Sequence, residues 1–199
     1  MQNSKDLPDN FFKTACYFEA TLALLAIFLG WLLDIDPFIN IDLIEPALLN
    51  SLILTLPLVL IFFALQQLPY PPLQKIRTLL LETLGAKLYQ RNWADMLILA
   101  CIAGFSEELL FRGVFQPWLE NISSLTLGLV LSNLLFAAVH AVTPLYAVLA
   151  LLMGLYLGLS LDYGDTRNLL QPILIHAFYD FVAFMVILNN YRNNLRASG

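Results

Sequence analysis

The sequence has few charged residues for its length. Only 13% of its 199 residues are charged and 59% are hydrophobic, which is far from the usual balance of a soluble domain. Its ten basic residues form no stripe along any segment, which argues against nucleic acid as a partner. The apolar excess instead predicts a membrane protein.

Cysteine and histidine are equally scarce, with two of each. Cys16 and Cys101 both lie in apolar runs, where a lone cysteine usually serves as a small filler rather than as a disulfide partner or nucleophile. No internal repeat is present, which leaves a solenoid without support. The first apolar run is too long for a signal peptide and no A-x-A-like cleavage site follows it, so we interpret it as a retained span.

The apolar runs predict an all-α fold, a multi-pass transmembrane bundle of about six spans. A helix needs roughly 20 apolar residues to cross a hydrocarbon core of about 30 Å. One predicted span starts near Trp93, and the other five cover residues 14–33, 46–65, 125–142, 145–161 and 169–188.

The basic residues predict that both termini lie on the cytoplasmic side, because short cytoplasmic loops are enriched in lysine and arginine. This orientation places Arg167 outside and Arg112 within the membrane. The other eight of the ten basic residues are then cytoplasmic: Lys5, Lys13, Lys75, Arg77, Lys87, Arg91, Arg192 and Arg196.

The chain divides into four predicted parts. Residues 1–66 form a two-helix membrane part, 67–92 a cytoplasmic connector, 93–190 a four-helix core and 191–199 a cytoplasmic tail. The connector is either an amphipathic helix on the membrane surface or a solvated link.

Charged residues interrupt the apolar core in the stretch SEELLFRGVF, residues 106–115. An ionisable group inside a bilayer costs at least ~2.5 to 3.5 kcal/mol, so its default interpretation is a functional site that faces the bundle. Glu108 and Arg112 are four residues apart and share one helix face, where they can pair. Glu107 lies about 100° further around the helix and has no local counter-charge. A desolvated carboxylate of this kind suits a general base.

Both histidines lie in two further motifs, FAAVH at 136–140 and HAFYD at 176–180. His176 and Asp180 are four residues apart on one helix face. A lone histidine such as His140 is more often a core residue than a catalyst, and His176 with Asp180 is as consistent with a polar clamp between helices as with a functional pair. Three such motifs in one small bundle favour a shared site. The role of Glu19, in the first span, stays open, and Gly154 with Gly158 predicts close helix packing.

These motifs, EExxxR, FxxxH and HxxxN or HxxxD in this order, resemble those of the CAAX-protease and bacteriocin-processing family (CPBP, with its Abi-type members). This family of intramembrane glutamic endopeptidases includes the Ras-converting enzyme. The resemblance covers about Trp93 to Leu188. It implies an integral membrane endopeptidase of a bacterial plasma membrane or an organelle that needs no cofactor or metal. Its partners would be the lipid bilayer and a peptide or membrane-anchored protein substrate.

The resemblance also implies residue roles. Glu107 would activate the attacking water and His140 would help to hold it, while His176 and Asp180 would stabilise the tetrahedral oxyanion. Glu108 and Arg112 would brace these groups. Prenyl-protease members carry asparagine at the position of Asp180, and an ionised aspartate only accepts hydrogen bonds. Asp180 is therefore either protonated or a residue that orients His176, and we favour the second interpretation.

Two alternatives remain at this point. The first is a zinc-dependent membrane metalloprotease, because Glu107, His140 and His176 form a ligand set that zinc accepts, although the chain has no HExxH motif. The second alternative is a non-enzymatic scaffold or immunity-type protein with the same fold. Straight helices place Glu107 near mid-membrane and His140 near the inner surface, so pairing them requires a sunken hairpin or a shifted third helix. We predict that the hairpin at residues 141–144 lies below the membrane surface. A separation above about 10 Å would exclude direct pairing.

Overall fold

The computed structural model describes residues 7–164 and 166–197, and within them the fold is all helical, as predicted. Two π-helical segments, Leu81–Gly85 and Phe111–Phe115, join α3 to α4 and α5 to α6. The α-helices are α1 (Leu7–Leu33), α2 (Glu45–Gln67), α3 (Pro71–Leu80), α4 (Ala86–Leu88), α5 (Trp93–Leu110), α6 (Gln116–Ile122), α7 (Leu125–Val139), α8 (Pro144–Ser160) and α9 (Leu170–Ala197).

Several helices have the length and composition of membrane spans. In the described part of the chain, Phe11–Leu33, Glu45–Gln67 and Leu170–Ala197 are long and apolar enough to cross a membrane, while α7 and α8 are apolar but shorter. Helix α5 carries three carboxylates in its 18 residues, which lowers its hydropathy. The six-span count, the orientation of the termini and the depth of the hairpin at residues 141–144 stay predictions.

Capping side chains set where the core helices begin. Asn92 accepts hydrogen bonds from the backbone of Ala94 and Asp95, and the Asp95 carboxylate accepts one from the Asn92 backbone, a capping box at the start of α5. The Thr143 hydroxyl accepts a hydrogen bond from Tyr146 N at 3.1 Å and starts α8, with Pro144 at the first helical position.

Helix α9 continues past the predicted span end at residue 188, to Ala197. Arg192 holds this polar extension, because its Nε donates to the Tyr89 carbonyl at 2.8 Å and Nη2 donates to the Arg91 carbonyl. The hydropathy pattern therefore located the apolar part of α9 but not the end of the helix.

Helix α5 lies between α1 and α9, and α9 also packs on α2, while α7 contacts both α6 and α8. Large apolar side chains such as Leu24, Phe28 and Trp31 of α1 point outward and are exposed. Exposed apolar surface on this scale fits a lipid environment rather than water. The polar residues of the three motifs instead face the inside of the bundle.

Gly104 allows α5 and α9 to approach closely one turn before Glu107 and Glu108. A Cβ atom at this position would lie 2.8 Å from the backbone nitrogen of Ala177 and 3.0 Å from the carbonyl oxygen of Ile173. Because both contacts are with backbone, the two helices would have to separate. The glycine thus brings the α5 carboxylates within reach of His176.

Replacing Gly104 by alanine is expected to lower the thermal unfolding temperature and to weaken the contact between α5 and α9. Alanine in an ordinary helix interior stabilises by about 1 kcal/mol relative to glycine, so a loss of stability here would isolate the steric effect. Cys101→Ala, on the exposed face of the same helix, should leave the unfolding temperature unchanged. Equal unfolding temperatures for the two variants would contradict this account of Gly104.

Candidate active site

A buried hydrogen-bond network is centred on Arg112. Its Nη1 donates to Glu108 Oε1 at 2.9 Å, which is the pair predicted from their spacing. Its Nη2 donates to Asn133 Oδ1 and to the Gly154 carbonyl, both at 2.8 Å. The guanidinium also lies over the Phe136 ring, 4.7 Å from its centroid. Arg112 thereby ties α5, α7 and α8 together.

The π-helical segment Phe111–Phe115 carries Arg112. Such a segment inserts one extra residue into a helix, changes the direction of the side chains that follow and is frequent at functional sites. Sequence spacing predicted an ordinary helix here, so this feature was missed. The Glu108–Arg112 contact nevertheless survives, because the two residues remain neighbours across one turn.

Gly154 allows α8 to reach this network. A Cβ atom there would lie 2.5 Å from Asn133 Oδ1 and 3.2 Å from Arg112 Nη2. Any larger residue would push the Asn133 carboxamide away from the guanidinium. The small-residue pair at 154 and 158 therefore serves close packing, as the sequence indicated, and at Gly154 it also exposes a carbonyl group to Arg112.

His176 lies between two carboxylates. Its Nδ1 is 2.7 Å from Glu108 Oε1, and its Nε2 is 3.5 Å from Asp180 Oδ2. The contact with Glu108 joins α5 to α9 and was not predicted, since spacing pairs Glu108 with Arg112 alone. Glu108 is completely buried and orients His176 more closely than Asp180 does.

Glu107 of α5 faces His140, which lies at the end of α7. His140 Nε2 is 3.5 Å from Glu107 Oε2, well inside the limit for direct pairing. His140 Nδ1 is 2.8 Å from the Phe136 carbonyl oxygen, which can only accept a hydrogen bond. Nδ1 therefore carries the proton, and in the neutral ring Nε2 is an acceptor. Two acceptors that converge in this way suit a shared donor such as a water molecule.

A cavity of about 500 Å³ opens in front of these groups. Glu107, His140, His176 and Asp180 line its polar end, whereas Glu108 and Arg112 lie behind them. Apolar side chains form most of the rest: Leu58, Ile61, Phe62 and Leu65 of α2, Leu73, Ile76 and Leu80 of α3, Leu149, Leu152 and Met153 of α8, and Ala183, Phe184 and Ile187 of α9.

Glu19 also lines this cavity, which gives the isolated carboxylate of α1 a place beside the other polar groups. It interacts electrostatically with Glu107, Asp180 and His176, and its Oε2 has no hydrogen-bond partner among the described residues. The sequence flagged Glu19 as unexplained but could not connect it to the three motifs. Asn133 was missed altogether, although a lone asparagine in an apolar helix is a usable signal of a polar contact between helices.

The zinc alternative requires three or more protein ligands around one position. Within residues 7–164 and 166–197, no group of three histidine, cysteine, aspartate or glutamate side chains is arranged to hold a metal ion. One nitrogen of His176 is directed at Glu108 instead of at a point shared with His140 and Glu107. The arrangement of the described side chains therefore gives no support to the zinc alternative.

Outward-facing apolar helices around a buried, charged centre and a large cavity define a polytopic membrane protein with an enzyme-like site. Residues 89–182 match a family model described as type II CAAX prenyl endopeptidase, Rce1-like. The chain therefore carries a domain of the CAAX-protease family, and the resemblance in its three motifs is confirmed. This places it among the integral membrane peptidases. No curated protein and no solved structure gives a significant match.

Proposed function

We propose that this protein is an intramembrane endopeptidase that hydrolyses a peptide bond with a water molecule activated by Glu107. The observation that carries the proposal is the pair of acceptors, Glu107 and His140, 3.5 Å apart at the polar end of the cavity. A water molecule that donates to both is held in place and polarised for attack. General-base catalysis requires this kind of hydrogen-bond reach between the base and the proton it removes.

The reaction needs one proton acceptor and one proton donor in sequence. Glu107 takes a proton from water as the water oxygen bonds to the carbonyl carbon of the substrate. The same carboxyl group then gives that proton to the leaving nitrogen as the carbon–nitrogen bond breaks. The products are a carboxylic acid and an amine, which become a carboxylate and an ammonium group by proton exchange, and Glu107 returns to its starting state.

The remaining residues position the reacting groups. Arg112 holds Glu108, and Glu108 orients His176, whose Nε2 side faces the cavity end beside Asp180. We assign His176 to the negative oxygen of the tetrahedral intermediate and Asp180 to the orientation of His176, with Glu108 and Arg112 as support behind them. Fixed groups in a site without bulk water stabilise such charge strongly.

The cavity supports a peptide substrate whose flanking part is apolar, such as the end of a membrane-anchored protein. The related family is named for prenylated substrates. A cavity of about 500 Å³ with mainly apolar walls has room for an apolar chain beside the scissile bond. We therefore propose a lipid-modified or membrane-anchored polypeptide as the substrate class.

Cleavage of a peptide library by detergent-purified protein tests the proposal. We expect cleavage that a strong chelator leaves unchanged and that Glu107→Gln abolishes, because no metal takes part in the steps above. Loss of cleavage on chelation, with recovery on added zinc, would favour the metalloprotease instead. A folded wild-type protein that cuts neither soluble nor lipid-modified peptides would favour the scaffold interpretation.

A further inference from the structure

The polar end of the cavity contains more hydrogen-bond acceptors than donors. Three carboxyl groups line it, from Glu19, Glu107 and Asp180. A tetrahedral oxyanion formed beside them needs donors, since an ionised carboxylate only accepts hydrogen bonds and repels negative charge. One nitrogen of His176 is already bonded to Glu108. At least one further donor is therefore needed for the reaction proposed above, on which this inference rests.

Three tyrosines line the same cavity and offer hydroxyl donors: Tyr146, Tyr156 and Tyr179. The Tyr156 hydroxyl is committed to the structure, because it donates to the Leu54 carbonyl of α2 at 2.7 Å. The hydroxyls of Tyr146 and Tyr179 make no hydrogen bond to any residue that the structure describes. Both tyrosines are half-buried, and a hydroxyl in such a place usually has a partner, so these two are available for a ligand.

Tyr146 is the better placed of the two. It lies near enough to both Glu107 and Asp180 to interact electrostatically with each carboxylate. Tyr179 interacts with Asp180 and Tyr146, and its ring packs edge-on against Phe62 of α2, with centroids 5.9 Å apart. Tyr146 also follows His140 by six residues and lines the same cavity as Glu107 and His140.

The local sequence H-A-V-T-P-L-Y fixes Tyr146 relative to His140. His140 ends α7, and Thr143 caps α8 three residues later, with Pro144 starting the helix. The Thr143 hydroxyl accepts from the backbone nitrogen of Tyr146, so the first turn of α8 is held in place. A donor presented from such a turn is pre-organised and needs little rearrangement during the reaction.

We propose that Tyr146 is a catalytic residue whose hydroxyl donates a hydrogen bond to the oxyanion of the tetrahedral intermediate. As water oxygen bonds to the carbonyl carbon, the carbonyl oxygen gains negative charge and the Tyr146 hydroxyl shares its proton with it. When the carbon–nitrogen bond breaks, the carbonyl re-forms and the tyrosine is unchanged. This interaction supplies the donor that Asp180, when ionised, lacks.

The test compares three tyrosine-to-phenylalanine variants in steady-state peptide cleavage. Tyr146→Phe is expected to lower kcat by about a hundredfold to a thousandfold, the usual effect of losing one oxyanion donor. KM should stay within about twofold, because the interaction forms only in the transition state. Tyr156→Phe is the matched control on the same helix, and Tyr179→Phe tests the neighbouring hydroxyl. Tyr156→Phe should keep kcat near the wild-type value, and Tyr179→Phe should lower it by less than Tyr146→Phe does.

A second measurement keeps the test valid if part of the Tyr146→Phe protein is unfolded. Binding of a peptide trifluoromethyl ketone, whose hydrate resembles the tetrahedral intermediate, counts folded sites only. Its affinity is expected to fall at least about tenfold in Tyr146→Phe and to stay unchanged in Tyr156→Phe.

The outcomes separate this inference from the proposed function. Wild-type kcat in Tyr146→Phe, with Glu107→Gln inactive, would overturn the role of Tyr146 and leave the peptidase in place. Equal losses in all three variants would show a structural effect and would also overturn it. If the wild-type protein cleaves nothing, the proposed function fails and this inference fails with it.

Discussion

Glu107→Gln is expected to lower kcat by about a thousandfold, in the middle of the range for losing a general base. Glutamine has nearly the same size as glutamate but cannot accept the proton of the attacking water. The neighbouring carboxylate of Glu108 cannot take over this role, since it is bonded to Arg112 and His176. Single-turnover cleavage of the best library peptide measures the effect.

The same variant should keep or raise the thermal unfolding temperature. Glu107 Oε2 has no hydrogen-bond partner among the described residues, and two further carboxylates share the cavity. Replacing the Glu107 carboxylate by a neutral amide relieves the repulsion among the three carboxylates, and no hydrogen bond from a neighbouring donor is lost. Glu45→Gln, exposed at the start of α2, is the control and should change neither quantity. A Glu107→Gln protein that cleaves as the wild type does would rule out Glu107 as the base.

Arg112→Met is expected to have the largest effect on stability, a loss of about 3 to 5 kcal/mol, as is usual when one partner of a buried ion pair is removed. Among the described residues, the substitution leaves Glu108 with His176 as its one remaining partner and deprives Asn133 and the Gly154 carbonyl of their Arg112 donor. Thermal unfolding in detergent measures the loss. Since these groups hold His176, cleavage should fall as well.

Arg167→Met provides a matched control, because it removes the same side chain from ion pairs that are only partly buried. Arg167 donates to Asp162 and Glu120 outside the predicted spans, and these hydrogen bonds raise the pKa of its guanidinium. Solvent-exposed pairs contribute about 0 to 1 kcal/mol, so the loss for this partly exposed arginine should stay below that for Arg112→Met. A double variant, Glu108→Gln with Arg112→Met, should recover part of the loss. Equal unfolding temperatures for Arg112→Met and Arg167→Met would contradict the central role of the buried network.

The parts of the site that depend on helix periodicity could be predicted from the sequence. Residues four apart share a helix face, so spacing alone predicted the contact between Glu108 and Arg112 and placed Asp180 beside His176. It also predicted that Glu107 points away from Arg112. These statements need only the geometry of one helix.

Contacts between helices could not be predicted in this way. The contact between Glu108 and His176 joins residues 68 positions apart in the chain, and it depends on how closely α5 approaches α9. That approach is set by Gly104, whose spacing matches no motif. The π-helical segment at Phe111–Phe115 was missed for a related reason, since tertiary packing stabilises it and no local pattern marks it. The meeting of Glu107 with His140 followed from the family resemblance, not from spacing.

The cavity has two sources along the chain. Its polar end comes from α5, α7, α8 and α9, within the matched residues 89–182, apart from Glu19 of α1. Much of its apolar wall comes from α2 and α3, which precede that segment. Substitutions in α2 and α3 can therefore change which substrates fit the cavity without disturbing the catalytic groups. Duplicated copies of this gene would therefore be expected to diverge in substrate specificity before they diverge in the reaction that they catalyse.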